Sequence, residues 1–216
     1  MKNPGLRYAS GMTIQPHIYL ASQSPRRREL LKQIGVQFKT LLLRNDPRRS
    51  VDVDEMPFKD ELPVDYVQRI CSAKVTAAWD SLCFRKLPHA PVLVADTTIA
   101  LDDKIIGKPH DRTDAYNILR ALSGRQHLVL TAVAVMLEEK IELRLSTTQV
   151  TFTELADERI HRYILSDEAH DKAGAYAIQG MAGAFVQCLE GSYSGVVGLP
   201  LFETAELLQS FGYHAP

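Results

Sequence analysis

Apolar positions along this chain follow two periods, and each predicts an element. After His17, the unbroken apolar run Ile18, Tyr19, Leu20 and Ala21 predicts a short buried strand. Ser22-Gln23-Ser24-Pro25 interrupts it. Leu30, Leu31 and Ile34 then line one face of a helix that Gly35 ends. Val36 to Leu43 reads as a second strand. Residues 44 to 63 are polar and acidic and carry Pro47, Pro57 and Pro63, which predicts a long loop of the functional or mobile kind. A second helix follows from about Val64 to Leu82, with Val67, Ile70, Cys71 and Ala78 inward. Val92 to Ala95 is a buried strand that delivers Asp96 at its end. Thr98 to Leu101, the Asp102-Asp103 turn and Ile105-Ile106 predict a hairpin.

Ala115, Ile118, Leu119 and Leu122 mark a third helix, with Gly124 after its end. Leu128 to Leu137 and Ile141 to Phe152 read as two long strands joined at residues 138 to 140. Asp157 opens a helix through Ile164. Gly174 to Gly183 is a glycine-punctuated connection, Ala184 to Leu189 a strand, and Leu199 to Phe211 a closing helix. Alternating helices and strands give an α/β class with a mixed, twisted sheet and flanking helices. Residues 1 to 16 have no periodicity and are expected to form a flexible leader, within which Met12 is a second candidate start. Residues 17 to 216 then make a single domain.

Composition narrows the function. Lys and Arg number 25 against 26 Asp and Glu, a net charge of −1 that excludes nucleic-acid binding by bulk electrostatics. The longest apolar run, Leu128 to Leu137, is about half of the roughly 18 residues a membrane span needs. The first residues lack a secretory apolar block. Cys71, Cys83 and Cys188 have no close spacing, so neither a disulfide framework nor a CxxC site is expected. A cytoplasmic protein without membrane or nucleic-acid partners is the expectation.

Two anomalies carry chemistry. Ser24 is a good N-cap and Pro25 a good first helical residue, yet Arg26, Arg27 and Arg28 crowd the positive end of the helix dipole. Either an anion binds there, drawn by free N–H groups and guanidinium forks, or the arginines splay into solvent or pair with the acidic loop. Lys74 interrupts the apolar stripe of its helix; it either snorkels outward or aims its ammonium into a cleft. Asp96 either caps a turn or lies in a site at the strand end. Gly107-Lys108-Pro109 is no P-loop, although Lys108 suits either a surface turn or a phosphate contact. Asp171-Lys172-Ala173-Gly174 and Ile178-Gln179-Gly180 read as loops whose glycines permit close backbone approach. The seven histidines form no HExxH, and Ser192 and Ser194 lack a nucleophile elbow. Basic groups and carboxylates without a nucleophile point to metal-assisted attack of water on a phosphate ester.

Together these blocks resemble the Maf family of nucleotide pyrophosphatases. The resemblance starts at Leu20-Ala-Ser-Gln-Ser-Pro-Arg-Arg-Arg-Glu-Leu-Leu31. It runs through Val53-Asp-Glu55, Ala73-Lys74, Ala95-Asp-Thr97, Gly107-Lys-Pro109, Leu122-Ser-Gly124, His127 and Thr131. It ends with Asp171-Lys-Ala-Gly-Ala-Tyr176, Ile178-Gln-Gly180 and Val197-Gly-Leu-Pro200. Ala177 and Asp167 stand where glycine is common in the family. The resemblance implies an elongated, two-lobed α/β protein with a central cleft, often a homodimer, and a divalent cation, Mg²⁺ or Mn²⁺, as cofactor. It implies that Asp96 is the general base or a metal-linked carboxylate and Glu55 a second metal-side carboxylate. Ser22, Ser24, Arg26, Arg27, Lys74 and Lys108 become phosphate contacts and Gln179 a base contact.

Arg26, Thr97 and Gln179 match the branch that prefers dTTP and UTP. The expected activity is hydrolysis of those nucleotides, and modified relatives, to the monophosphate and diphosphate. The alternatives are a pyrophosphatase for 7-methyl-GTP or a non-standard purine nucleotide, and a non-catalytic inhibitor of septum formation.

Overall fold

The computed structural model of the chain describes residues 17–43 and 53–213. The expected leader, and the first part of the expected loop after Leu43, lie outside the described residues. Strand β1 (Ile18–Leu20) leads into α1 (Pro25–Gln33), where the Ser24 hydroxyl accepts from Arg27 N and Pro25 occupies the first turn. Strand β2 (Phe38–Thr40) is shorter than the run predicted at 36 to 43, because only these three residues pair with β1. Helix α2 (Pro63–Phe84) buries Val67, Cys71, Val75, Ala78 and Leu82 along one face, as its apolar spacing predicts.

Strand β3 (Val92–Leu101) is continuous, and it turns at Asp102-Asp103 into β4 (Lys104–Ile106). Both turn residues have left-handed φ angles, 51° and 58°, as a two-residue hairpin loop of the right twist requires. Helix α3 (Arg112–Leu122) is capped by Asp111, whose carboxylate accepts from Asp114 N. Long strands β5 (Gln126–Leu137) and β6 (Lys140–Phe152) form a hairpin, and α4 (Asp157–Ile164) follows. Two short 3₁₀ segments, Ala173–Ala175 and Met181–Phe185, fill the glycine-punctuated connection. Strand β7 (Val186–Glu190), the one-turn α5 (Tyr193–Val197) and α6 (Leu201–Ser210) complete the described fold.

The seven strands form one mixed sheet in the order β2-β1-β3-β5-β6-β7, with β4 also on β3. β1 runs parallel to β2 and β3, and every other pair is antiparallel. Side chains alternate across β3, so its two faces feed different cores. Val92, Val94 and Ala100 pack under α2. On the other face, Leu93 and Ala95 join a cluster with α1 and α6, whereas Ile99 and Leu101 join one with α3 and α4. The change between those two clusters falls at Thr97. These two cores on one face are the two lobes.

The sequence reading put Asp96 at a strand end; it lies instead mid-strand. β5 pairs with β3 continuously from Val92 to Ala100, which carries the ladder through the polar Asp-Thr-Thr run. The other edge is different. β1 pairs with β3 at Val92 and Leu93, and β4 pairs with it from Ile99, so residues 94 to 98 face a gap between two partner strands. The site is built at that gap.

Candidate functional site

The chain leaves β1 through Ser22-Gln23-Ser24 and enters α1 at one end of the gap. Ser22 Oγ accepts from Ser24 N at 3.2 Å, which shapes the turn ahead of the helix. The three arginines that follow have different fates. Arg27 points inward: its Nε donates to Gly198 O at 2.7 Å, and its terminal nitrogens reach Thr97 Oγ1 at 3.3 Å and Ser22 Oγ at 3.5 Å. Burial works against its charge, and nearby Asp96 works for it. Arg26 lines the cleft, and its Nε is buried without a hydrogen-bond partner among the described residues. Arg28 turns away to a groove beside β2. The arginine triplet therefore divides into one tether, Arg27, one cleft-facing cation, Arg26, and one residue outside the cleft, Arg28, which the resemblance had not included among the phosphate contacts.

Thr97 is fixed by its cross-strand neighbour. Thr131 Oγ1 lies 3.0 Å from Thr97 Oγ1 and donates to Gly195 O at 2.8 Å. Gly195 belongs to α5, a helix the sequence reading missed because five residues are too few to show a period. Ser192 caps it, accepting from Gly195 N at 3.0 Å. That cap accounts for a serine that sequence alone could only exclude as a nucleophile.

On the α2 face of β3, Lys74 Nζ donates to Asp96 Oδ1 at 2.6 Å and pairs with Glu55 Oε1 at 2.8 Å. Burial opposes the lysine's charge, yet Asp96 and Glu55 together hold its pKa above the ordinary value. Glu55 is correspondingly held below the usual carboxylate range: burial pushes it up, and the Lys74 ammonium outweighs that. Simple snorkelling does not describe Lys74. Its ammonium is tied between two carboxylates at the cleft wall. Cys71, one turn earlier, is pushed up to about 12, chiefly by burial and then by Asp96, so it holds its proton and is no nucleophile.

Glu55 sits on a short strap ahead of α2. Tyr66 OH donates to Glu55 O at 3.0 Å. Arg69 grips Glu61 through two nitrogens at 2.6 and 2.7 Å and donates to Met56 O at 3.1 Å.

Opposite, Gly174 N donates to Gly107 O at 2.9 Å and so joins the Lys108 turn to the Asp171–Ala175 loop. Gly174 has a φ of 69°, where an L side chain is strained, and this is the close approach its motif suggested. Lys172 pairs with Asp171 and lines the cleft. Its pKa is pushed down to about 8, first by burial and then by Arg26 and Lys108. In the sequence Lys172 has no signal of its own beside Gly174; the fold brings it to Arg26 and Lys108. Gln179 is exposed on the next turn.

One cleft of about 630 Å³ joins these parts; Ser22, Ser24, Arg26, Arg27, Glu55, Lys74, Thr97, Lys108 and Gln179 all line it. Asp96 is not part of that lining: it is 8% exposed and lies behind Lys74, whose ammonium bonds it. Glu55 and Asp96 converge on one ammonium, so the protein offers two hard carboxylate donors there. Mg²⁺ is commonly held by one or two carboxylates, with water and substrate phosphate oxygens completing its shell, and this donor pair fits that pattern. Among the described residues, no group of three or more His, Cys, Asp and Glu side chains could hold an ion alone. Also among them, no helix is long and apolar enough to cross a membrane.

A family model described as Maf-like protein matches residues 17–211. The chain is similar to the dTTP/UTP pyrophosphatase of Nitrosomonas europaea, with 55% identity over 195 residues covering 90% of this chain and 94% of the relative. It is also similar to the dTTP/UTP pyrophosphatases of Aromatoleum aromaticum and Dechloromonas aromatica. Identities are 53% and 52%, over 93% and 91% of this chain and 98% of each relative.

Proposed function

The chain belongs to the Maf family, and on that premise we propose that it is a nucleoside triphosphate pyrophosphatase that hydrolyses dTTP and UTP to the monophosphate and diphosphate. The observation that carries this reading is one cleft lined by Arg26, Lys108, Lys172, Glu55 and Lys74, with Asp96 bonded to the Lys74 ammonium just behind its wall. A triphosphate needs positive charge along its length, and a water near the α-phosphorus needs a base. The cleft supplies both.

In this reading Asp96 orients a water and takes its proton as the water oxygen bonds to the α-phosphorus. The bond from that phosphorus to the bridging oxygen breaks, and the electron pair leaves with the diphosphate. Arg26, Lys108 and Lys172 neutralise charge that grows on the leaving group. Arg27, anchored at Gly198 O and Thr97, positions the Ser22–Ser24 turn against the phosphates. Lys74 holds Asp96 and Glu55 in place. A divalent ion, Mg²⁺ or Mn²⁺, would sit with Glu55 and Asp96 and supply charge stabilisation on the phosphate oxygens.

Gln179 would read the base. Its amide offers a donor and an acceptor, which match the ring N–H and adjacent carbonyl of uracil or thymine. Cytosine reverses part of that pattern. The homodimer that the family resemblance implies and the cytoplasmic location that the cysteine usage suggests belong to the same proposal; sedimentation and fractionation test them.

The deciding experiment is a nucleotide panel with diphosphate detection, run on wild type and Asp96→Asn. UTP and dTTP should lead CTP, dCTP, 7-methyl-GTP and the standard purine triphosphates. Asp96→Asn should lose about 10²- to 10⁴-fold in kcat, the usual range for a general base. Near wild-type turnover in that variant would remove Asp96 from the role.

A further inference from the structure

Gln179 makes no side-chain hydrogen bond among the described residues, so nothing beside it fixes its amide. What the structure fixes is the backbone that carries it. That backbone is a tight turn, with Gly180 N donating to Ala177 O at 3.0 Å. Both ends of the turn are held by side chains from a different part of the chain. At the entrance, Ala177 N donates to Tyr163 OH at 3.1 Å. At the exit, Met181 N donates to the Glu168 carboxylate, 3.0 Å from one oxygen and 3.3 Å from the other. Gly183 N then donates to Gly180 O at 3.0 Å and begins the 3₁₀ segment.

The two anchors differ in their settings. Tyr163 is 1% exposed and packs edge to face on Phe185 at 5.1 Å. Its phenol is pushed up to about 12, chiefly by burial, so it stays neutral with an oxygen free to accept from Ala177. Glu168 follows the tight bend after α4, where Ser166 Oγ donates to Tyr163 O at 2.7 Å and Asp167 takes a φ of 59°. The Glu168 carboxylate lies directly against Gly180: a side chain there would overlap its oxygens. The absence of a side chain at Gly180 leaves room for the carboxylate to reach the Met181 amide. Glu168 also stands near the cleft cation Lys172 and opposes the lowering of its pKa.

We propose that Glu168 and Tyr163 are specificity-positioning residues that clamp the 177–181 turn and so aim the Gln179 amide at the pyrimidine edge. The proposal rests on the reading of Gln179 as the base contact. A single amide discriminates between uracil and cytosine only when it is presented to the base edge from one position. The clamp fixes the backbone that carries Gln179, and with it the rotamers that reach the base, while neither anchor lines the cleft.

The test is the ratio of kcat/KM for UTP over CTP, measured in full-length enzyme with the metal in excess. Gln179→Ala serves as the reference and should lower the ratio about tenfold or more. Glu168→Ala should lower it by a similar factor. Because the lost carboxylate lowers the Lys172 pKa further, kcat for saturating UTP and the affinity for inorganic diphosphate are compared well below pH 8, where Lys172 stays charged and both change little. Glu168→Gln keeps a carbonyl acceptor for Met181 N and should recover most of the ratio. The double variant Glu168→Ala/Gln179→Ala should be no less selective than Gln179→Ala alone, because both act through one amide. Tyr163→Phe removes only the hydroxyl at the other end of the turn. It should lower the ratio too, and it keeps the idea testable if Glu168→Ala folds poorly.

A merely structural role predicts something else: lower melting temperature and lower turnover on both nucleotides, at an unchanged ratio. That result for Glu168→Ala and Tyr163→Phe, beside a lowered ratio in Gln179→Ala, would overturn the clamp and leave the Gln179 reading intact. An unchanged ratio in Gln179→Ala refutes the base-contact reading itself; a lowered ratio in Glu168→Ala beside it shows that any clamp acts through another group.

Discussion

The Lys74 ammonium lies 2.6 Å from Asp96 Oδ1, and both side chains are largely buried, at 18% and 12% exposure. The two come from α2 and β3, and Glu55 approaches the same ammonium from the strap at 2.8 Å. A lysine on an apolar helical stripe is thereby explained by its partners and not by a route to solvent. It ties three segments together at the gap in the β3 edge, at the wall of the cleft.

Replacing Lys74 therefore costs stability. Lys74→Met leaves the Asp96 carboxylate buried beside an apolar side chain, and breaking a buried pair from one side typically costs about 3–5 kcal/mol. Water access through the cleft and the half-exposed Glu55 reduce that, so a loss of about 2–3 kcal/mol is expected in a urea titration. Asp96→Asn should cost less, since Glu55 still pairs with the lysine. If Lys74→Met is as stable as wild type, the ammonium is not balancing Asp96.

Much of the scaffold was legible. α2, β5 and β6 are long and periodic, and Asp102-Asp103 is a turn signal that needs no tertiary help. Asp96 was misread as a strand end because a polar Asp-Thr-Thr run resembles a turn, and only the nine-residue pairing with β5 shows otherwise. The arginine triplet was visible as an anomaly. Its division into tether and cleft cation depends on Gly198, 171 residues from Arg27. Lys172 and Glu168 carry no local signal. Their importance arises from what the fold brings beside them.

Metal dependence should track Glu55. Excess chelator should stop hydrolysis, and added Mg²⁺ or Mn²⁺ should restore it, as hard oxygen ligands favour these ions. Glu55→Gln should raise the metal concentration for half-maximal rate by about tenfold or more. Full activity in excess chelator would exclude the ion from the reaction.

His127 should make the fold acid-sensitive. Its Nε2 is 2.9 Å from Tyr176 OH, its Nδ1 has no partner among the described residues, and it is only 2% exposed. Burial lowers its pKa to about 4 from an ordinary 6.5. Between those values the unfolded chain binds the proton and the folded chain does not, so stability rises with pH across the window. It is complete above about 6.5 and falls by up to about 3 kcal/mol as pH drops toward 4. His127→Phe should flatten this part of a melting-temperature profile. An equally steep profile in the variant would assign the sensitivity to other groups.

Lys172 should set an alkaline limit on substrate affinity. Four charged groups face or flank it: Arg26 from α1, Lys108 from the loop after β4, Glu168 from the loop after α4, and adjacent Asp171. Burial and the two cations bring its pKa down to about 8, so the free enzyme loses this charge just above neutral pH. A bound triphosphate favours the protonated amine, and binding above that pH must therefore take up a proton. The affinity contributed by Lys172 is complete below pH 8 and declines as pH rises through it, by up to about tenfold per pH unit. Stability moves the opposite way: from about 8 to the ordinary lysine value the unfolded chain holds the extra proton, so folding gains as pH rises. The measurement is KM for UTP between about pH 7.5 and 8.8, above the last ionisation of the nucleotide's phosphates and below the loss of its uracil ring N–H. Wild type should show a rising KM, and Lys172→Met a high KM that no longer varies. A flat wild-type profile would remove Lys172 from the phosphate wall, and a rising profile that survives in Lys172→Met would assign the titration to another group.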